Sequence, residues 1–287
     1  MGRTWGAVTF AQAMFLAVLQ GFSELFPVSS LGHIVLVPSL LRWHIDRADP
    51  TFLAFVVVLH FGTALALVIY YWSEWRGIIA AFFASIVRGK MSNSLNERTA
   101  WLLVAATIPV AVLGGLFEHP VRALFANPLA ASIFLAANGG IMFFGESLRV
   151  KQHRRSTHPY RRLDALPWID GVKVGFAEAL ALLPGISRSG SAMVAGLLLD
   201  LTHAEAARYS FLLATPVIVA ATLFELPNLF APGVHLALLE SIVGAILAGV
   251  TAYFSVAYLV RYFQTKTLVP FAWYCLVAGT ACILLFR

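Results

Sequence analysis

Charge is what this sequence has least of. Only 12% of its 287 residues are Asp, Glu, Lys or Arg, and cysteine occurs just twice. Set against 60% hydrophobic residues and a mean hydropathy of +0.81, so low a charge content excludes an ordinary soluble domain. The cysteines exclude a disulfide framework. Cys275 and Cys282 lie in a single apolar run, too far apart along one helix to be bridged, and neither has a metal-ligand spacing. They read as small core or lipid-facing residues. The formal net charge of +6 does not point to nucleic acid, because the basic residues fall in short connections between apolar runs. Arg76, Arg88, Lys90 and Arg98 occupy one connection, "RVKQHRRSTHPYRR" (149–162) another, and Arg261 and Lys266 a third. Clusters so placed mark the cytoplasmic side of a membrane protein.

What the chain has is apolar length. A hydrocarbon core of about 30 Å needs roughly 20 apolar residues in helix, and six segments qualify, near 51–72, 99–117, 129–148, 204–224, 235–260 and 268–286. Tyr70, Tyr71, Trp72 and Trp75 read as interfacial anchors at a span end. Two further runs, 5–19 and 168–183, are too short to span, and each leads into a Pro- and Gly-containing turn followed by another short run. These are expected to be re-entrant. Residues 1–24 lack a small-x-small cleavage site, so the N-terminus reads as retained rather than as a signal peptide.

Each short hairpin precedes three spans, dividing the chain into 1–150 and 163–287 around a basic linker at 151–162. The halves echo one another, with "GFSELFPVSSLGH" in the first and "GFAEALALLPGISRSGS" in the second. Aligning the prolines pairs Ser30 with Ser187 but leaves Glu24 and Glu178 one helical turn out of register. An odd number of spans per half makes the second half enter the membrane inverted, with the linker cytoplasmic, both termini outside, and the two tips meeting near the midplane. The predicted fold is therefore all-α, six transmembrane helices plus two re-entrant hairpins in an inverted repeat.

Irregular backbone at membrane depth must line a polar pocket, and ionisable groups there are functional candidates. Gln20 and Glu24 share one helical face, Pro27 ends that helix, and Ser29 or Ser30 is suited to cap the next, which would put Ser30 and His33 on one face. In the second tip, Pro184 and Gly185 turn the chain before Ser187, Arg188, Ser189 and Ser191 at a helix N-terminus. Free amides, hydroxyls and a guanidinium suit an anion, phosphate best of all. Bland readings stand beside these. Ser29, Ser189 and Ser191 are also ordinary helix-packing residues, Glu24 with Arg188 could be a buried ion pair locking the hairpins, and Glu178 fits a pocket or a structural role. His60, with nothing polar near it in sequence, is expected to be a packing histidine.

The tips resemble the signature loops of the bacterial undecaprenyl-diphosphate phosphatase family, also known for bacitracin resistance. "QGFSELFPVSSLGH" and "PGISRSGSA" are similar to its two motifs, and the resemblance extends over essentially the whole chain. It implies an integral membrane enzyme of the bacterial inner membrane that hydrolyses the C55 polyprenyl diphosphate to the monophosphate carrier through an outward-facing pocket. Glu24, Ser30, His33 and Arg188 would form the active core, and Gln20, Ser29, Ser187, Ser189, Ser191 and Glu178 would bind substrate. Gln20 stands at a place acidic in some members, Glu178 where an amide can occur, and Ala192 where the motif has Thr. Ser30 is the candidate nucleophile with His33 taking its proton, and direct attack by a water held by the same groups is the alternative. Glu24 either orients His33 or binds Mg²⁺ or Ca²⁺ bridging the diphosphate, and no organic cofactor is implied. The expected partners are the lipid substrate and the bilayer, with no nucleic acid and a homodimer as one option. The rival class is a lipid-phosphate transporter or flippase using the same anion pocket, since inverted repeats with broken helices are also a transporter architecture.

Overall fold

The computed structural model describes residues 8–46, 49–92, 94–117, 120–121, 124, 127–155, 160–229, 234 and 238–287, so the predictions for residues 1–7 and for linker residues 156–159 lie outside the described residues. Among the described residues there are eleven α-helices and no β-sheet. The first, α1 (Phe10–Leu25), opens on a capping box in which Thr9 Oγ1 accepts from the Gln12 amide at 3.3 Å and the Gln12 side chain accepts from the Thr9 amide at 2.8 Å. It stops because Phe26 precedes Pro27, whose ring holds Phe26 extended (φ −66°, ψ 138°). After the turn, α2 (Ser30–Leu40) is capped by Ser29. The second half repeats the pattern with α7 (Trp168–Ala179), a 3₁₀ turn at Leu180–Leu182, and α8 (Arg188–Leu198) capped by Ser187. At about 1.5 Å per residue even the 16 residues of α1 reach only about 24 Å, short of a hydrocarbon core.

Six helices are long and apolar enough to cross a membrane: α3 (Pro50–Tyr70), α5 (Leu95–Leu116), α6 (Pro128–Arg155), α9 (His203–Leu229), α10 (Leu238–Tyr262) and α11 (Val269–Phe286). Their outer faces carry Ile69, Leu223, Phe254 and Val277, all more than half exposed, which water would penalise and lipid accommodates. The molecule is a multi-pass integral membrane protein. One connection departs from expectation. Residues after Tyr71, predicted to be a basic loop with interfacial anchors, form α4 (Trp72–Arg88), which buries only Ile78 and Ser85 and ends at Gly89 in the left-handed conformation. Its C-terminal Arg88 is anchored by an ion pair with Glu97 in the first turn of α5.

Packing crosses the halves. α1 lies against α10, α7 against α5, α3 against α10, and α6 against α11. The first two contacts use matching residues. A Cβ on Gly21 would sit 2.2 Å from the Ala248 carbonyl oxygen, and one on Gly175 the same distance from that of Ala106, so both hairpin helices are glycine there because backbone meets backbone. Gly21 precedes Glu24 by three residues, as Gly175 precedes Glu178. The apparent slip between the acids in the proline-aligned repeat is thus the extra 3₁₀ turn at Leu180–Leu182, which lies between Glu178 and Pro184.

Candidate active site

The two tips touch through backbone. Gly185 adopts φ 114°, open to glycine alone, and a Cβ there would lie 2.4 Å from the Ala131 carbonyl oxygen of α6, while a Cβ on Gly32 of the first tip would come within 3.0 Å of the Gly185 Cα. Ser29, at the positive φ of 70°, binds the tips together: its Oγ accepts from the Gly32 amide of its own helix and from the Gly185 amide of the other, both at 3.2 Å. Asn138 of α6 adds a second bridge, donating to the Pro27 carbonyl at 3.1 Å and accepting from the Ser187 amide at 3.0 Å.

Where the tips meet, Glu24 is gripped from four helices. Its Oε2 accepts from Ser30 Oγ at 2.5 Å and from Gln20 Nε2 at 2.9 Å, and lies 3.3 Å from His60 Nε2, while its Oε1 accepts from Arg188 Nη2 at 2.7 Å. The other guanidinium nitrogen, Nη1, has no hydrogen-bond partner and lies 3.6 Å from Glu178 Oε1, a carboxylate that is itself without a hydrogen bond on either oxygen. These groups edge a cavity of about 410 Å³. Glu24, Ser29, Ser30, His60, Glu178, Ser187 and Arg188 line its polar end, and Val56, Val110, Ala111, Leu182, Val217 and Phe224 are among its apolar wall. Chemically this is a hydroxyl held by a carboxylate, beside a guanidinium with donors to spare at a helix N-terminus, next to an apolar chamber. It can orient a nucleophile and bind an anion that carries a hydrocarbon tail.

The residues singled out in sequence separate into groups. Glu24, Ser29, Ser30, Glu178, Ser187 and Arg188 border the cavity, and Gln20 braces Glu24 from α1. Ser189 Oγ turns to the Phe26 carbonyl at 3.3 Å and to Ser187 Oγ at 3.1 Å, and the Ser191 hydroxyl is buried without a hydrogen bond. The expected Ser30–His33 pair does not form. The Ser29 carbonyl can only accept, so His33 Nδ1 carries the proton and donates to it at 2.7 Å, leaving Nε2 to accept from the Tyr274 hydroxyl at 2.7 Å. Both ring nitrogens are engaged, and the hydroxyl of Ser30 turns to Glu24. Cys275 and Cys282 are buried in α11, and the Cys275 thiol lies 3.7 Å from the Pro27 carbonyl. Among the described residues no three His, Cys, Asp or Glu side chains group closely enough to hold a metal ion by themselves.

Residues 13–281 match the family model of the bacitracin resistance protein BacA. The chain belongs to this family. Its relatives include the undecaprenyl-diphosphatase of Mycolicibacterium paratuberculosis, 44% identical over 96% of this chain and 96% of the relative. Undecaprenyl-diphosphatase 2 of Frankia alni is 41% identical over 97% and 98%, and undecaprenyl-diphosphatase 2 of Chromobacterium violaceum 45% identical over 95% and 97%.

Three site residues escaped the reading of the sequence. His60 was expected to be a packing histidine, yet it lies on the cavity wall beside Glu24. No local signal marks it, because its polar neighbours come from other helices. Asn138 and Tyr274 were equally silent. An asparagine inside an otherwise apolar span was the one available clue, since a buried amide in a membrane helix requires partners.

Proposed function

We propose that this chain hydrolyses undecaprenyl diphosphate to undecaprenyl phosphate and inorganic phosphate, recycling the lipid carrier of cell-wall synthesis. The observation that carries the reading is the joining of Ser30, Glu24 and Arg188 at the polar end of an apolar cavity, and the names of the relatives support it over a carrier. The Arg188 fork and the first amides of α8 bind the terminal phosphate, and the prenyl chain lies along the apolar wall. Ser30 Oγ attacks the terminal phosphorus, its proton passing to Glu24 Oε2 as the bond to the bridging oxygen breaks and undecaprenyl phosphate leaves. Water then cleaves the phosphoserine, the proton on Glu24 returns to Ser30 Oγ, and phosphate departs. Phosphoryl transfer passes through a loose transition state, so placement of the hydroxyl and neutralisation of charge matter more than a strong base. His33 serves here by holding the Ser29 carbonyl, and with it the strained turn that delivers Ser30. Glu178 has carboxylate oxygens without hydrogen bonds, so it, together with phosphate oxygens, would fit Mg²⁺ or Ca²⁺, whereas both oxygens of Glu24 are taken by Ser30, Gln20 and Arg188. Such an ion would supply charge neutralisation on the diphosphate.

The same proposal places the protein in the bacterial inner membrane, with the 151–162 linker cytoplasmic and both termini outside. The short hairpins are then re-entrant and the halves inverted, a reading supported by the crossed packing and the Gly21/Gly175 match. The cavity would open outward, since Gly115, Thr222 and Phe224 on its wall lie toward the span ends opposite the linker. The test is phosphate release by purified protein in detergent, without a gradient, from polyprenyl diphosphates of several lengths with and without chelator. Turnover that Ser30→Ala abolishes supports the reading. Tight binding without release would favour a carrier, and a Ser30→Ala variant near the parent rate would remove the covalent route.

A further inference from the structure

Resting on that reading, we propose that His60 is a positioning residue for the reaction, holding the Glu24 carboxylate in the orientation from which it receives the Ser30 hydroxyl. His60 Nδ1 donates to the Val56 carbonyl at 2.8 Å, one turn back on α3, which fixes the ring plane and aims Nε2 at the cavity. Nε2 lies 3.3 Å from Glu24 Oε2, the same oxygen that accepts from Ser30. Two electron pairs facing each other would repel, so this contact is attractive only with a proton between nitrogen and oxygen.

The geometry explains why a second brace is needed. Arg188 Nη2 pulls on Oε1 from one side, and its Nη1 is without a hydrogen-bond partner. Lacking a holder on the far side, the carboxylate would turn toward the guanidinium and pair with it in fork geometry, which is the preferred arrangement for arginine and carboxylate. That rotation would release Ser30 and occupy the donors required by the substrate phosphate. Gln20 restrains Oε2 from α1 and His60 from α3, and only His60 lines the cavity. Among the groups assembled here Arg188 is the competitor, Gln20 the partner brace, and Glu178 the acid on the other side of the guanidinium.

The experiment is steady-state hydrolysis of a polyprenyl diphosphate in detergent by the full chain and by His60→Leu and His60→Gln. Leucine fills the volume without a polar atom, whereas glutamine keeps a donor. The expected result is a kcat reduced about 10- to 100-fold in His60→Leu, the scale of a misplaced reacting group, with KM moved less than about threefold and most of kcat recovered in His60→Gln. A leucine variant at the parent kcat overturns the proposal, as does a glutamine variant as slow as leucine. If His60→Leu does not purify as a monodisperse protein, His60→Gln decides alone: within about threefold of the parent supports the role, and a loss beyond about tenfold overturns it. A parent that releases no phosphate would overturn the activity and this role together, whereas an active parent with an equally active His60→Leu overturns only the role.

Discussion

In the first hairpin the acid is saturated, with Glu24 accepting from Gln20, Ser30 and Arg188, whereas in the second Glu178 is buried with neither oxygen hydrogen-bonded. The two stand at matching places, three residues after a glycine that meets a carbonyl of the opposite half. What separates them is the chain that follows. Glu24 is three residues from Pro27, so its carboxylate reaches the turn and the hydroxyl beyond it, while the turn at Leu180–Leu182 sets Glu178 farther back from Pro184. Two helix–turn–helix segments thus supply two unlike acids, one tied to the hydroxyl and one left with open oxygens beside the same guanidinium.

Removing the shared arginine should break both sides of this contrast and give the largest effect. Arg188→Ala is expected to lower kcat/KM by about 10³- to 10⁵-fold in the phosphate-release assay, the scale of a transition-state arginine. Arg188→Lys should recover little, because an ammonium cannot present the fork. Changing the acids one at a time sharpens the comparison. Glu24→Gln should cost about 10²- to 10⁴-fold in kcat, as expected for loss of a proton acceptor. Glu178→Gln should leave kcat within about tenfold at saturating Mg²⁺ while raising the Mg²⁺ needed for half-maximal rate by about 10-fold or more, read from activity against metal concentration. Equal losses in the two variants would mean that the hairpins do not divide the work as described.

The scaffold can be tested apart from the chemistry. Gly21→Ala and Gly175→Ala each force a methyl into a helix contact, and each should destabilise the protein by about 1–3 kcal/mol, seen as a lowered thermal midpoint in detergent. A large effect in one and none in the other would undo the equivalence of the halves. The smallest change belongs to Ser189→Ala, which removes the hydroxyl's hydrogen bonds to the Phe26 carbonyl and to Ser187 Oγ and should cost about 1–2 kcal/mol of stability without altering KM.

Much of this molecule could be read locally. Six spans follow from apolar length, the end of α1 from Pro27, the start of α2 from Ser29, and the head of α8 from Ser187, because caps and proline turns act within a few residues. Helix α4 was missed because its aromatic and basic residues match an interfacial loop as well as an amphipathic helix. His60 and Tyr274 were missed for a different reason, since each is polar only through a partner on another helix.

By itself the sequence determined that the chain enters a membrane, where its helices break, and which acid, hydroxyl, imidazole and guanidinium stand at those breaks. Only the tertiary structure decided their pairing. His33 turned to Ser29 and Tyr274, Ser30 turned to Glu24, and His60 joined them from α3. The physical reason is range: backbone caps are set by neighbours in the chain, whereas a buried polar side chain takes whichever partner the packing of distant helices brings within about 3 Å.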